Sequence, residues 1–304
     1  MSIIEKALNK AKDEGQKLNN ASDFYNETGE STDTKNNSPD NAPVITVSAK
    51  QEQRPVNKDI VVLDWPRLTS LGFINPEDSN TQDIEEYRNI KRPLVSNAFG
   101  KGSEGITRAN LILVTSSVPG EGKTFTAINL ALSIANELDK QVLLIDADVA
   151  RPSVSKALGL RSEPGLIDYL ESRDITFSDI AIKTSQPGLQ VIPAGKSHKH
   201  STELLSSNKM ALLVDELSYR YPDRIVIFDS PPLLAATQAE ILAKFVGQVV
   251  LVIEAEKTLQ NVVMESVEKL AACDVVLAVF NKTKRNMEAD YYGYGYGYGH
   301  YANK

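Results

Sequence analysis

The chain has 304 residues, 41% of them hydrophobic and 24% charged, which is enough to bury a sizeable core in one large domain with extensions. A formal net charge of -7 removes the general attraction that a phosphate backbone exerts on basic proteins, so no nucleic-acid partner is expected. The single cysteine, Cys273, excludes an intrachain disulfide, and its position in an apolar run predicts a buried, reduced thiol.

In chain order, Ile4, Ala7, Leu8 and Ala11 recur on one side of a helical repeat, which predicts an amphipathic helix over residues 1–17. Residues 18–59 are rich in Asn, Ser, Thr, Asp and Pro and poor in bulky apolar side chains, the composition of a disordered linker. Residues 60–108 form a mixed segment with a helix expected around Glu85 to Lys91. From Ala109 onward, short apolar runs alternate with helical stretches. The runs 111–115, 142–146, 189–193, 225–229, 249–254 and 275–281 read as strands. Most of the segments between them are long enough for a crossover helix, so residues 109–285 are expected to form a doubly wound α/β domain around a mainly parallel sheet. Residues 286–304 collapse to Tyr and Gly and are expected to be a flexible tail. No apolar run approaches the ~20 residues needed to span a bilayer, and a cytoplasmic location is expected.

The strongest chemical signal follows the first strand. Ser117-Val-Pro-Gly-Glu-Gly-Lys-Thr124 is a Walker A loop with Ser117 in place of the first Gly. Such a loop turns backbone N–H groups toward phosphate, so Pro119, Gly120, Glu121, Gly122, Lys123 and Thr124, with Phe125 opening the helix, are the candidate nucleotide contacts. Lys123 is expected to reach the β and γ phosphates and Thr124 to ligate Mg²⁺. The second strand delivers Asp146 and Asp148 at its end, and the fourth delivers Asp229 before Ser-Pro-Pro. Residues two apart on a strand face one side, so Asp146 and Asp148 can address one metal or one hydroxyl. One is expected to orient Mg²⁺ and the other to accept the proton of an attacking tyrosine, whose ordinary pKa near ~10 leaves it a poor nucleophile. Tyr291, Tyr292, Tyr294, Tyr296, Tyr298 and Tyr301 are interleaved with glycines and are candidate phosphoacceptors. Ten extended residues span roughly 33 Å, enough to reach a neighbouring copy.

Over residues 85–304 these features together resemble the bacterial tyrosine kinases of polysaccharide export, close to the autokinases of exosortase-linked exopolysaccharide systems. The resemblance rests on the Ser-Ser-Val-Pro-Gly-Glu-Gly-Lys-Thr loop, the Leu-Leu-Ile-Asp-Ala-Asp strand, Phe-Asp-Ser-Pro-Pro and the tyrosine cluster. It implies a P-loop NTPase of the MinD/ParA-like branch whose Lys123, Thr124, Asp146, Asp148 and Asp229 form an ATP and Mg²⁺ site, with Thr124, Asp146 and Asp229 about the metal and Asn281 and Lys282 near the adenine. It also implies a ring of copies joined through a Glu-x-x-Arg-x-x-Arg helix, here Glu85, Arg88 and Lys91, with Lys91 departing from the pattern. Ala150 stands where the family's Asp-x-Asp-x-Arg puts arginine, which leaves Arg151 as a candidate phosphate or interface contact. Partners implied by the resemblance are a separate membrane chain-length determinant protein, which would recruit the chain to the inner face of the plasma membrane, and a tyrosine phosphatase. The rival reading is a ParA- or MinD-type switch ATPase, whose signature lysine position is occupied here by Val118.

Overall fold

The computed structural model describes residues 60–78, 82–100, 105–220 and 223–284. The helix expected over 1–17, the linker 18–59 and the tyrosine-rich tail 286–304 lie outside the described residues. All six expected strands form, in one sheet: β1 Leu111–Ser116, β2 Gln141–Asp146, β4 Leu189–Ile192, β5 Arg224–Asp229, β6 Gln248–Glu254 and β7 Val275–Asn281. A seventh, β3 Ile182–Lys183, pairs antiparallel with β4, and the remaining pairs are parallel, in the order β3-β4-β2-β5-β1-β6-β7. Two residues are too few to show a period, which is why β3 is not legible in the sequence. Beyond β3, Val61 adds an isolated bridge to Thr184.

The central strands are apolar on both faces because both faces are covered. Ile112, Val114, Val142 and Leu144 enter one core with α3 Lys123–Ala135, whereas Leu111, Leu113, Leu143 and Ile145 enter the other. The second core is closed by α5 Leu166–Glu171, α7 Ser201–Leu205, α8 Asn208–Tyr219, α9 Thr237–Ala243 and α10 Gln260–Lys269. Short α6 Phe177–Ile180 also packs there, whereas short α4 Val154–Leu158 packs into the core on the α3 side. Cys273 is buried in this second core, as expected, and burial pushes its thiol up to about 11, which leaves it unreactive near neutral pH.

Ahead of the sheet, α1 Trp65–Ser70 and α2 Gln82–Phe99 pack on the α3 side. The buried stripe of α2 is Ile84, Tyr87, Lys91 and Leu94, one helical face at the 3-4-3 spacing. Lys91 therefore does not share the outward face of Glu85 and Arg88, which pair with each other in solvent. Its ammonium donates to the Ser133 carbonyl at 2.7 Å and pairs with Glu137 at 2.9 Å, capping the C-terminal end of α3. Gln248 makes a second tie, accepting from Asn97 at 2.9 Å and donating to the Leu94 carbonyl at 3.0 Å, so α2 is fastened to both α3 and β6.

Lys91→Ala should lower stability by about 1–3 kcal/mol, the cost of removing a buried charge-assisted bond, whereas Arg88→Ala should stay within about 0.5 kcal/mol. Urea unfolding midpoints compare the two directly, and equal losses would contradict the inward placement of Lys91.

Candidate active site

The chain leaves β1 toward β2 on one side of the sheet and leaves β5 toward β6 on the other, so a crevice opens beyond the C-terminal ends of β1, β2 and β5. The loop 117–122 lies there and feeds α3. Gly120 and Gly122 hold φ of 91° and 96°, in the left-handed region that favours glycine, and Gly122 is the N-cap of α3 without any side-chain cap. A Cβ on Gly122 would stand 2.0 Å from the Asn281 amide nitrogen. The uncapped amides and the helix dipole make this turn a phosphate cradle.

The loop is braced from behind. Glu121 is buried, and its carboxylate accepts from the Val118 N–H at 2.8 Å, the Glu254 N–H at 3.2 Å and the Thr258 hydroxyl. Its side chain is thus a strut for the loop and is not turned toward a ligand. Asn281 donates to the Glu121 carbonyl at 2.8 Å, and Lys282 donates to the Gly120 carbonyl at 2.7 Å while pairing with Glu254 at 3.1 Å. Asn281 and Lys282 therefore clamp the loop backbone. They also line a pocket of about 280 Å³ shared with Phe125, Tyr87 and Phe280.

Asp146 and Asp229 are register partners on neighbouring strands β2 and β5, which sets their carboxylates side by side with no exposed surface. Thr124 donates to Asp229 Oδ2 at 2.7 Å and touches Ser153 Oγ at 3.1 Å. Asp146 Oδ2 accepts the Ser153 and Val154 N–H groups, both at 3.0 Å. The other oxygen of each acid, Asp146 Oδ1 and Asp229 Oδ1, is buried and has no hydrogen-bond partner. Burial pushes Asp146 up to about 6 and Asp229 up to about 7, the latter against the pull of the Lys123 charge. Two orphaned carboxylate oxygens beside a threonine hydroxyl form a hard, all-oxygen donor set that fits Mg²⁺.

Asp148 is placed differently. Its Oδ2 pairs with Lys123 at 2.8 Å, its Oδ1 accepts the Arg151 N–H at 3.1 Å, and it faces a cleft of about 440 Å³ on the far side of the loop from Phe125. Pro231, Pro232, Ala235 and Ala236 wall that cleft.

The AAA domain family matches residues 109–285. The tyrosine-protein kinase YwqD of Bacillus subtilis is 34% identical over 227 residues, which cover 73% of this chain and 90% of that protein. The chain belongs to the bacterial tyrosine-protein kinases. This kinase is also 34% identical to the tyrosine-protein kinase ptk of Acinetobacter johnsonii, over 61% of its own length but only 26% of that protein's. Among solved structures, the kinase domain of Escherichia coli ETK is similar with a TM-score of 0.61 at 28% identity, covering 76% of this chain and 85% of that one.

The kinase fold brings Lys123, Thr124, Asp146, Asp148 and Asp229 together, while Glu85 and Arg88 lie apart on α2. Ser153 and Thr258, which sequence reasoning does not single out, hold Thr124 and Glu121 respectively. No motif announces them, because their partners are 29 and 137 positions away.

Gly122→Ala should weaken nucleotide binding by about tenfold or more, from the strain of φ near 96° and the collision with Asn281. Titration with a fluorescent ATP analogue reads this, and unchanged affinity would contradict the cradle geometry.

Proposed function

We propose that this kinase uses ATP and Mg²⁺ to phosphorylate Tyr291, Tyr292, Tyr294, Tyr296, Tyr298 and Tyr301 in the tail of another copy. The observation that carries this reading is the separation of the three acids. Asp146 and Asp229, with Thr124, would hold Mg²⁺, which supplies electrostatic stabilisation of the phosphates. Asp148 alone among them lines the open cleft, whose small apolar walls suit a phenol ring.

ATP lies along the loop with its base toward the Phe125 pocket and its γ-phosphate toward the Asp148 cleft. Lys123 leaves Asp148 to neutralise the phosphates, which frees Asp148 Oδ2. The tyrosine oxygen then attacks phosphorus in line as its proton passes to Asp148. The new O–P bond forms as the β–γ bridging bond breaks, and ADP departs. The protein's contribution is positioning and charge.

Transfer between copies is supported by the family resemblance and by the outward Glu85–Arg88 pair on α2, a polar ridge available to a neighbouring subunit. Lys91 is committed within its own chain and adds nothing to that ridge. Each phosphotyrosine adds roughly -1.5 to -2 charges to an acidic chain, so multiple phosphorylation favours disassembly. That cycle, with a membrane chain-length determinant protein as activator and a tyrosine phosphatase as eraser, is the proposed control of exopolysaccharide polymerisation and export. Among the described residues no helix is long and apolar enough to cross a membrane. The family resemblance supports the cytoplasm as the place of action, at the membrane's inner face through the activator.

Incubation with Mg·ATP and the activator's cytoplasmic segment should put several phosphates on Tyr291 to Tyr301, and none in Lys123→Ala or in EDTA. Asp148→Asn should slow transfer by about 10²–10⁴-fold while nucleotide still binds. ATP hydrolysis without phosphotyrosine would replace this reading with a switch ATPase.

A further inference from the structure

The Asp148 cleft is lined by three charged side chains, Lys123, Asp148 and Arg151. The first two pair with each other, and both oxygens of Asp148 are occupied once the Arg151 N–H is counted. The Arg151 guanidinium itself is exposed and has no partner among the described residues. Ala150 beside it is also exposed and uncharged, and the opposite wall is proline and alanine. The rim of the acceptor cleft therefore carries one uncommitted positive charge, three positions along the chain from the acid that would take the phenol proton.

A tyrosine entering this cleft brings its flanking residues over the rim. In an extended segment, residues two apart project to the same side about 6–7 Å apart, whereas immediate neighbours point away. Of the six tail tyrosines, only Tyr292 has an acid two positions before it, Asp290. The corresponding residues for Tyr291, Tyr294, Tyr296, Tyr298 and Tyr301 are Ala289, Tyr292, Tyr294, Tyr296 and Gly299.

We propose that Arg151 is a specificity-determining residue that pairs with a carboxylate two residues before the acceptor, and so makes Tyr292 the preferred first site. The inference rests on the tail-directed reading above and deepens it: the favoured substrate class is an extended acid-x-tyrosine segment. The guanidinium fork suits a carboxylate, and the pair forms at a solvated rim, so it biases the choice of site without enforcing it. A rim pair of this kind corresponds to about a twofold to fivefold preference.

The test uses full-length protein with Mg·ATP and the activator segment, sampled at early times, with phosphate quantified separately at Tyr292 and Tyr298. Wild type should favour Tyr292 by about twofold to fivefold, and the preference should shrink as salt is raised. Arg151→Glu alone and Asp290→Lys alone should each abolish the preference, and the two together should restore it, since the reversed pair can form again. Equal use of the two sites in wild type, or an unchanged ratio in Arg151→Glu, would overturn the role of Arg151 while leaving the tail as substrate. Absence of phosphate from every tail tyrosine in wild type would defeat the tail-directed reading, and this inference with it.

Discussion

Three carboxylates, Asp146, Asp148 and Asp229, converge at the ends of β2 and β5, and Lys123 is the ammonium that pairs with one of them. Parallel register leaves Asp146 and Asp229 abreast, and burial makes the charged form of each costly, a cost that a bound divalent cation would lower. Everything else about the site follows from that placement. Thr124 stands at the start of α3 because the loop turns there on two left-handed glycines, and its hydroxyl meets Asp229 directly. In the proposed mechanism, ATP would give Lys123 phosphates to exchange for Asp148, and the same exchange would free Asp148 to act as the base.

The loop keeps its shape because the far ends of β6 and β7 hold it. Glu121 reaches back to β6 and Thr258, and Asn281 and Lys282 reach forward to two loop carbonyls. Lys282 adopts φ of 58°, an uncommon value for a side chain with a Cβ, as the chain leaves β7 in the direction of the tyrosine-rich segment. The segment that carries the proposed acceptors thus follows in sequence the residues that hold the phosphate loop.

Much of this was legible in the sequence. The six longer strands announce themselves as Val- and Ile-rich runs, Lys123 and Thr124 by the glycine-rich loop that ends in them, and Asp146, Asp148 and Asp229 by their place at or just past strand ends. What periodicity does not carry is direction. Lys91 reads as part of an outward acid-and-base motif, yet its 3-4-3 spacing with Ile84, Tyr87 and Leu94 puts it on the buried face, where a lysine is retained because a helix end and Glu137 offer it partners. Asn281 and Lys282, which the family resemblance puts near the adenine, line the Phe125 pocket and also hold the loop backbone, a second task that no motif reveals. The separate placement of Asp148 was also hidden, because it depends on which carboxylate faces the Pro231–Pro232 wall, in a segment about eighty positions away.

The central claim is that the Lys123–Asp148 cleft of one copy phosphorylates the tail of another. The most direct measurement mixes full-length Lys123→Ala protein with a full-length copy in which the six tail tyrosines are phenylalanine, adds Mg·ATP and the activator segment, and weighs both chains intact. The account predicts several phosphates on the Lys123→Ala chain and none on the tail of its partner. A Lys123→Ala chain that stays unmodified while the mixture consumes ATP would contradict it.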